Sequence, residues 1–164
     1  MNNKWPLLAA GALLVVTVVV YGFLYVGGER DPRSPDELAK QALTAGKQDE
    51  RDQAARDLAD QGAAALPQLR RVLKESDGPT VRAAMIQALG AAYDFESMPR
   101  LLDCLDDPDP AVRQRAGVAV STILGLDYHF QPDAAPAERA VTIKHYRSEY
   151  DKMLQNPPPK YRRN

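Results

Sequence analysis

The feature that most restricts how this chain can fold is an internal repeat. Val81-Arg82 and Val112-Arg113 stand 31 residues apart, and Glu50-Arg51 lies 31 residues before the first pair. At the same offset Ala54, Met85 and Ala116 align, followed by Leu58, Leu89 and Val120. Upstream, LPQLRRVL from Leu66 matches MPRLLDCL from Met98 at an offset of 32, a one-residue slip in the turn. The two best-preserved turns read ESDGPTVR and DDPDPAVR. Each unit is a helix with an early proline, an Asp/Pro turn, and a second helix that begins Val-Arg. A single helical hairpin cannot bury its own apolar stripe, so neighbouring units must stack to make a core.

The parts of the unit have physical reasons. Pro110 pre-sets φ at the start of the second helix, and Asp109 caps its free N–H groups. Val112 begins the buried stripe, and Ala116 is small enough to let helices approach closely. Arg82 and Arg113 pair either with Asp77 and Asp109 or with turn groups of a neighbouring repeat, a structural ladder rather than a binding site. Two earlier helices precede the clear copies. Ser34 or Asp36 caps one containing Leu38, Ala39, Ala42 and Leu43, ending at Gly46. Asp49 opens the next, through Ala54, Ala55 and Leu58, closed by Gly62. Leu66, Leu69, Val72 and Leu73 follow at helical spacing.

Asp77, Pro79, Val81 and Arg82 in one copy, with Asp107, Asp109, Pro110, Val112, Arg113 and Ala116 in the next, resemble the HEAT repeat. The likeness is to the short form found in the phycobilisome-lyase group. It covers about residues 36–127, and the Gln48–Arg51 stretch, lacking the proline and the valine, is a degenerate copy. The resemblance implies an all-α fold, a short α-solenoid of about two and a half helical hairpins. It also implies a protein–protein interaction module or scaffold. Some members of the short-repeat group act as bilin lyases or isomerases, so an enzyme or chromophore-handling protein is the alternative. Accessory packing on a larger membrane complex is another.

Before the repeats, Trp5 to Gly28 is a run of 24 residues without a charge, 18 of them hydrophobic. As a helix it measures about 36 Å at ~1.5 Å per residue, against a hydrocarbon core about 30 Å thick. Trp5, Tyr21 and Tyr25 lie near its ends, as interfacial aromatics do. The run exceeds the apolar stretch of a signal peptide, and only Lys4 precedes it. Residues 1–4 are thus expected to be a short tail, 5–28 a single transmembrane helix and 29–35 a linker. Lys40 and Lys47 tilt the positive-inside count toward a cytoplasmic domain. Short N-terminal anchors more often leave the following domain outside the cytoplasm, and the expectation follows them.

After Gly125 the period stops. Pro136 opens a last helix whose stripe is read as Ala140, Ile143, Tyr146, Tyr150 and Met153 or Leu154. Residues 128–155 are expected to cap the solenoid, covering Val118, Val120, Ile123 and Leu124, and 156–164 to form an extended, disordered basic tail. Charge changes sign here. Residues 29–137 carry 13 basic and 19 acidic side chains, a net −6, whereas 138–164 carry 7 and 3, a net +4. Lys144, Arg147 and Lys152 are therefore candidate partner contacts.

No catalytic constellation is present. His129 and His145 lack a Glu-x-x-His partner, and one Cys with two His leaves little for a metal. Cys104 reads as a small buried hydrophobe. Ser121 and Thr122 lie within a helix without a nucleophile elbow. Asp103, Asp106, Asp107 and Asp109 lack EF-hand spacing, and turn capping accounts for most of them. The expectation is a non-enzyme without cofactor, metal or small-molecule substrate, whose partners are a membrane and another protein. A net charge of −1 argues against nucleic acid.

Overall fold

Proline sets where the helices of this chain begin. In the computed structural model, which describes residues 32–157 and Tyr161, six of the seven described α-helices carry a proline in their first or second position. The missing N–H costs nothing there, and the fixed φ suits the first turn. The helices are α1 Pro35–Thr44, α2 Gln48–Asp60, α3 Leu66–Glu75 and α4 Pro79–Ala91, then α5 Met98–Asp103, α6 Pro110–Leu124 and α7 Pro136–Gln155. The expected anchor at 5–28, the tail at 1–4 and residues 29–31 of the linker lie outside the described residues. Among the described residues no helix is long and apolar enough to cross a membrane.

Caps refine the starts and stops. Ser34, not Asp36, closes α1, in a capping box where its hydroxyl accepts from Glu37 N while Glu37 accepts from Ser34 N. Asp109 caps α6, accepting from Ala111 N at 2.8 Å and Val112 N at 3.2 Å. Gly125 ends α6 at φ +71°, the left-handed region where glycine carries no Cβ penalty. The third hairpin is shortened on its first arm: α5 has 6 residues and continues as the 3₁₀ turn Cys104–Asp106.

The helices stack in two layers. α2, α4 and α6 form one, with α4 packed against both neighbours; α1 and α3 pack side by side in the other. Between the layers lie the fully buried residues whose spacing marked the repeat: Leu58, Leu89 and Val120, with Ala54, Met85 and Ala116. α4 and α6 make the most extensive helix contact. A Cβ on Gly90 would stand 2.7 Å from Ala119 Cβ and 2.9 Å from its Cα, so the two backbones meet where only glycine fits.

α7 follows α5 in the first-arm layer, packing on α5, on the turn at 104–106 and on α6. It occupies the place of a fourth hairpin's first helix. Tyr146 is its anchor, fully buried, its hydroxyl 2.7 Å from Ser121 Oγ and accepting from Tyr128 N at 3.2 Å. Ile143, Tyr150 and Met153 pack beside it. Two expectations need correcting, Ala140 and Val118, and the choice between Met153 and Leu154 is resolved. Ala140 is exposed, and the buried flank there is Arg139, drawn in by Asp106 and by the Ala134 carbonyl. Leu154 faces outward while Met153 packs inward, and Val118 remains 63% exposed. The tail also has a fixed point: Tyr161 stacks on Phe95 with ring centroids 4.5 Å apart and donates to the Ile123 carbonyl at 2.9 Å.

The close α4–α6 approach yields a prediction. Gly90→Ala forces the two helices apart and should destabilise the fold by about 1–3 kcal/mol. Gly46→Ala meets nothing within 4 Å and needs no left-handed backbone, so it should be neutral or stabilise by up to about 1 kcal/mol. Thermal melting of the two variants beside the parent checks the ordering. Equal midpoints would mean that α4 and α6 are not packed this closely.

Candidate interaction surfaces

The repeat turns are pinned by arginine. Arg82 donates Nη1 to the Asp77 carbonyl of its own turn at 2.7 Å. Its Nε and Nη2 reach both carboxylate oxygens of Asp107 in the next turn, each at 3.0 Å. Only about a tenth of either side chain is exposed, 11% for Arg82 and 10% for Asp107. Arg113 repeats the inward half of this arrangement, donating Nη1 to the carbonyls of Asp107 and Pro108. With no further repeat beyond it, Arg113 holds the connector instead, through the Pro132 carbonyl at 2.6 Å and Asp133 at 3.7 Å. Arg51 keeps only the carbonyl bond, to Ala45, and otherwise binds Gln48. The carboxylates of Asp77 and Asp109 are not the arginines' partners. Asp77 contributes its backbone oxygen and Asp109 its cap.

The four aspartates of the third turn are each committed separately. Asp103 pairs with Arg147 at 2.8 Å and Asp106 with Arg139 at 2.6 Å, while Asp107 takes Arg82 and Asp109 caps α6. Asp107 also accepts from Asp109 N at 2.9 Å, so bonding to turn and cap N–H groups engages two of the four and ion pairing three. Two of the candidate partner contacts are likewise engaged within the chain: Arg147 as above, and Lys152 with Glu149 at 2.7 Å. The bond to Glu149 raises the Lys152 pKa and lowers that of Glu149. Lys144 is exposed on the outer side of α7.

One node went unread in the sequence. Asp94, in the turn between α4 and α5, is 5% exposed. It receives both Nε and Nη2 of Arg70, and the Ser97 hydroxyl. Glu96 takes Arg70 Nη1 at 2.6 Å. Hydrogen bonding to Asp94 is the main cause that pushes the Arg70 guanidinium above its ordinary pKa, against the opposing effect of burial. The repeat offset does not reveal this node, because Arg70 and Asp94 have no counterpart pair in the neighbouring units. An acid set between two aromatics in YDF, at the end of a buried helix, is the available clue.

The residues weighed for chemistry are dispersed. Cys104 is buried, and desolvation pushes its thiol up to about 11. His145 lies against Tyr128 with ring centroids 5.6 Å apart, and His129 stands in solvent at φ +52° in the connector. Among the described residues no group of three His, Cys, Asp or Glu side chains is placed to hold a metal ion.

The outer face of α2, α4 and α6 offers a different kind of surface. A groove of about 400 Å³ runs between α2 and α4 over Ala59, Ala84, Ala88 and Ala91, rimmed by Arg56 and Gln87. A second, of about 230 Å³, lies between α4 and α6 over Gly90, Ala91, Val118 and Ala119. A third, of about 440 Å³, separates α6 from the connector, where Phe130 packs on Gly117. Small residues make this face shallow and smooth.

Stacked helical hairpins joined by an arginine–aspartate pin at the turns define a helical-repeat protein, an α-solenoid. Its family is shown by a match of the HEAT-repeat model to residues 35–121, more than half of the chain. The chain belongs to the HEAT-repeat family. The match runs from α1 into α6 and stops before α7. No curated protein and no solved structure matches the chain.

Two outcomes follow from this geometry. Arg82→Ala strands Asp107 in a mostly buried turn and should cost roughly 3 kcal/mol, the range for breaking one half of a buried pair. Arg51→Ala, which loses one carbonyl contact and a glutamine, should cost under about 1 kcal/mol. Urea melts decide this, and equal losses would remove the pin's special role. With its thiol near 11, only about one Cys104 in a thousand is thiolate at pH 8. Ellman's reagent should therefore react slowly with native protein and rapidly in guanidinium. Stoichiometric labelling of the native chain within mixing time would contradict the burial.

Proposed function

We propose that the protein is a membrane-anchored interaction module, without catalysis of its own, that binds another polypeptide on the face formed by α2, α4 and α6. HEAT repeats generally mediate protein–protein interaction, and this chain belongs to that family. The observation that carries the reading is the run of shallow, small-residue grooves across three parallel helices. Close approach of a partner backbone or helix needs such small side chains. A helix laid in an apolar groove is a common mode of peptide recognition. Residues 5–28 hold the module at a bilayer as a single pass, with the repeats on the extracytoplasmic side. Support for the anchor is the length and apolarity of that run. No observation on the described residues favours the chromophore-handling alternative.

Two measurements test the proposal. Carbonate extraction with intact mass should find the full-length chain in the membrane pellet; a soluble protein starting near Glu29 would overturn the anchor. Ala91→Arg with Val118→Arg fills both grooves from exposed positions, where substitutions shift stability by about 0.5 kcal/mol or less. Cross-linking in detergent-solubilised membranes should show a partner adduct for the parent that falls at least about tenfold in this variant, as for a blocked contact centre. An unchanged adduct would move the binding face elsewhere, and no adduct with the parent would sink the module itself.

A further inference from the structure

The first-arm layer has a gap. α3 and α5 make almost no direct contact, because α5 is cut to 6 residues and the turn before it is held down by the Arg70–Asp94 pair. The gap is a cleft of about 330 Å³ lined by Arg70, Leu73, Lys74, Glu96, Ser97 and Arg100. Arg70 is committed to Asp94 and Glu96, and Ser97 donates its hydroxyl to Asp94. Lys74 and Arg100 differ. Both are exposed, and neither has a hydrogen bond or ion pair among the described residues. Each stands in the last turn of its helix, where the helix dipole favours a cation. That explains their positions and leaves their donors unused. Elsewhere in this domain Arg33, Arg82, Arg139 and Arg147 each meet an aspartate. Lys40, Arg71, Arg115 and Lys144 are also exposed without such a partner, but Lys74 and Arg100 are the two of these cations that line one cleft.

We propose that the cleft between α3 and α5 receives an acidic side chain of a partner polypeptide, its carboxylate set between Lys74 and Arg100. Leu73 and the aliphatic stems of the two cations form an apolar floor for the residue beside it. Charge complementarity selects the occupant. An anionic bilayer or a nucleic acid needs a broad field of cations, whereas this cleft sets Lys74 and Arg100 beside Glu96. A single carboxylate meets only the local field of the cleft within a Debye length of about 8 Å. The fork of Arg100 suits both carboxylate oxygens, with Lys74 as a point charge alongside. This inference rests on the reading of the domain as a binding module and gives it a second contact on the other layer.

The test uses full-length protein in detergent micelles and a tetramethylrhodamine-labelled peptide amide with one carboxylate, Gln-Gln-Leu-Glu-Gln-Leu. Its Gln-Gln-Leu-Gln-Gln-Leu isostere and vesicles of phosphatidylserine with phosphatidylcholine are the competing probes. Fluorescence anisotropy should show saturable binding of the acidic peptide that weakens with salt. Affinity should fall at least about tenfold in Lys74→Gln/Arg100→Gln. It should be nearly unchanged in Lys40→Gln/Lys47→Gln, which removes the same charge outside the cleft. The glutamine peptide should bind far less well. Equal loss in both double variants reduces the effect to net charge and overturns the cleft. So does binding of the vesicles, but not the peptide, that depends on Lys74 and Arg100. Failure of the peptide to bind also overturns it. None of these failures touches the interaction-module reading, which the Ala91→Arg/Val118→Arg variant tests on the α2–α4–α6 face.

Discussion

The stack depends on one contact, the fork of Arg82 across two successive turns. Its guanidinium is tied at once to the Asp77 carbonyl and to both oxygens of Asp107. Apolar burial between α4 and α6 supplies most of the favourable energy, but apolar contact is non-directional and permits slippage. The fork does not. It fixes how far the third turn stands from the second and at what rotation, so that Gly90 meets Ala119. Net stabilisation by such a pair is small once desolvation is counted. Its contribution is register, and a register error would move the small Ala119 off the bare backbone at Gly90.

Repeat arrays have ends, and this one ends by changing what the ladder holds. Arg113 occupies the place of Arg82 but faces a connector in place of a turn. It takes the Pro132 carbonyl and Asp133. Bound there, the connector brings Phe130 against Gly117 of α6. The second-arm layer is closed by a loop, and the first-arm layer by α7 through Tyr146. At the other end, Arg51 lacks the outward half of the contact. Arg33 instead reaches across α1 to Gln41 and Asp57. Both termini reuse an arginine pin with a substitute acceptor.

The period of 31 made the core legible, because residues that share a helix face in successive units must share a buried face in the stack. Leu58, Leu89 and Val120 were readable for that reason. Partners of charged groups were not. Periodicity reports which face a residue occupies and says nothing about what a loop brings opposite to it. Arg82 could be placed on the ladder, but Asp107 could not be chosen over Asp77 or Asp109. Arg70 and Asp94 were invisible, since their pairing occurs once. The error at Ala140 is instructive in magnitude. Burying its methyl is worth about 0.8 kcal/mol. Arg139 donates a part-buried hydrogen bond to the Ala134 carbonyl, worth up to about 1.5–3 kcal/mol for a charged donor, and adds an exposed pair with Asp106 worth about 0–1 kcal/mol. Rotating the first turn of α7 toward Arg139 is the better bargain.

The same comparison changes the meaning of the charge asymmetry. An acidic body followed by a basic segment looks, in sequence, like a surface offered to something else. In the fold, much of it is internal complementarity: Arg139 and Arg147 of α7 land on Asp106 and Asp103 of the turn they cover. Exposed pairs of this kind contribute about 0–1 kcal/mol each, far less than the several kcal/mol expected for burying a ring such as Tyr146. They do not hold α7 down. They decide which way it lies, because a helix rotated or reversed on the same apolar surface would set its basic residues away from the aspartates and its acidic residues toward them. Charges consumed in orienting the cap are not available to a partner. The cations left open to solvent are those the fold does not pair, and in the first-arm layer these include Lys74 and Arg100.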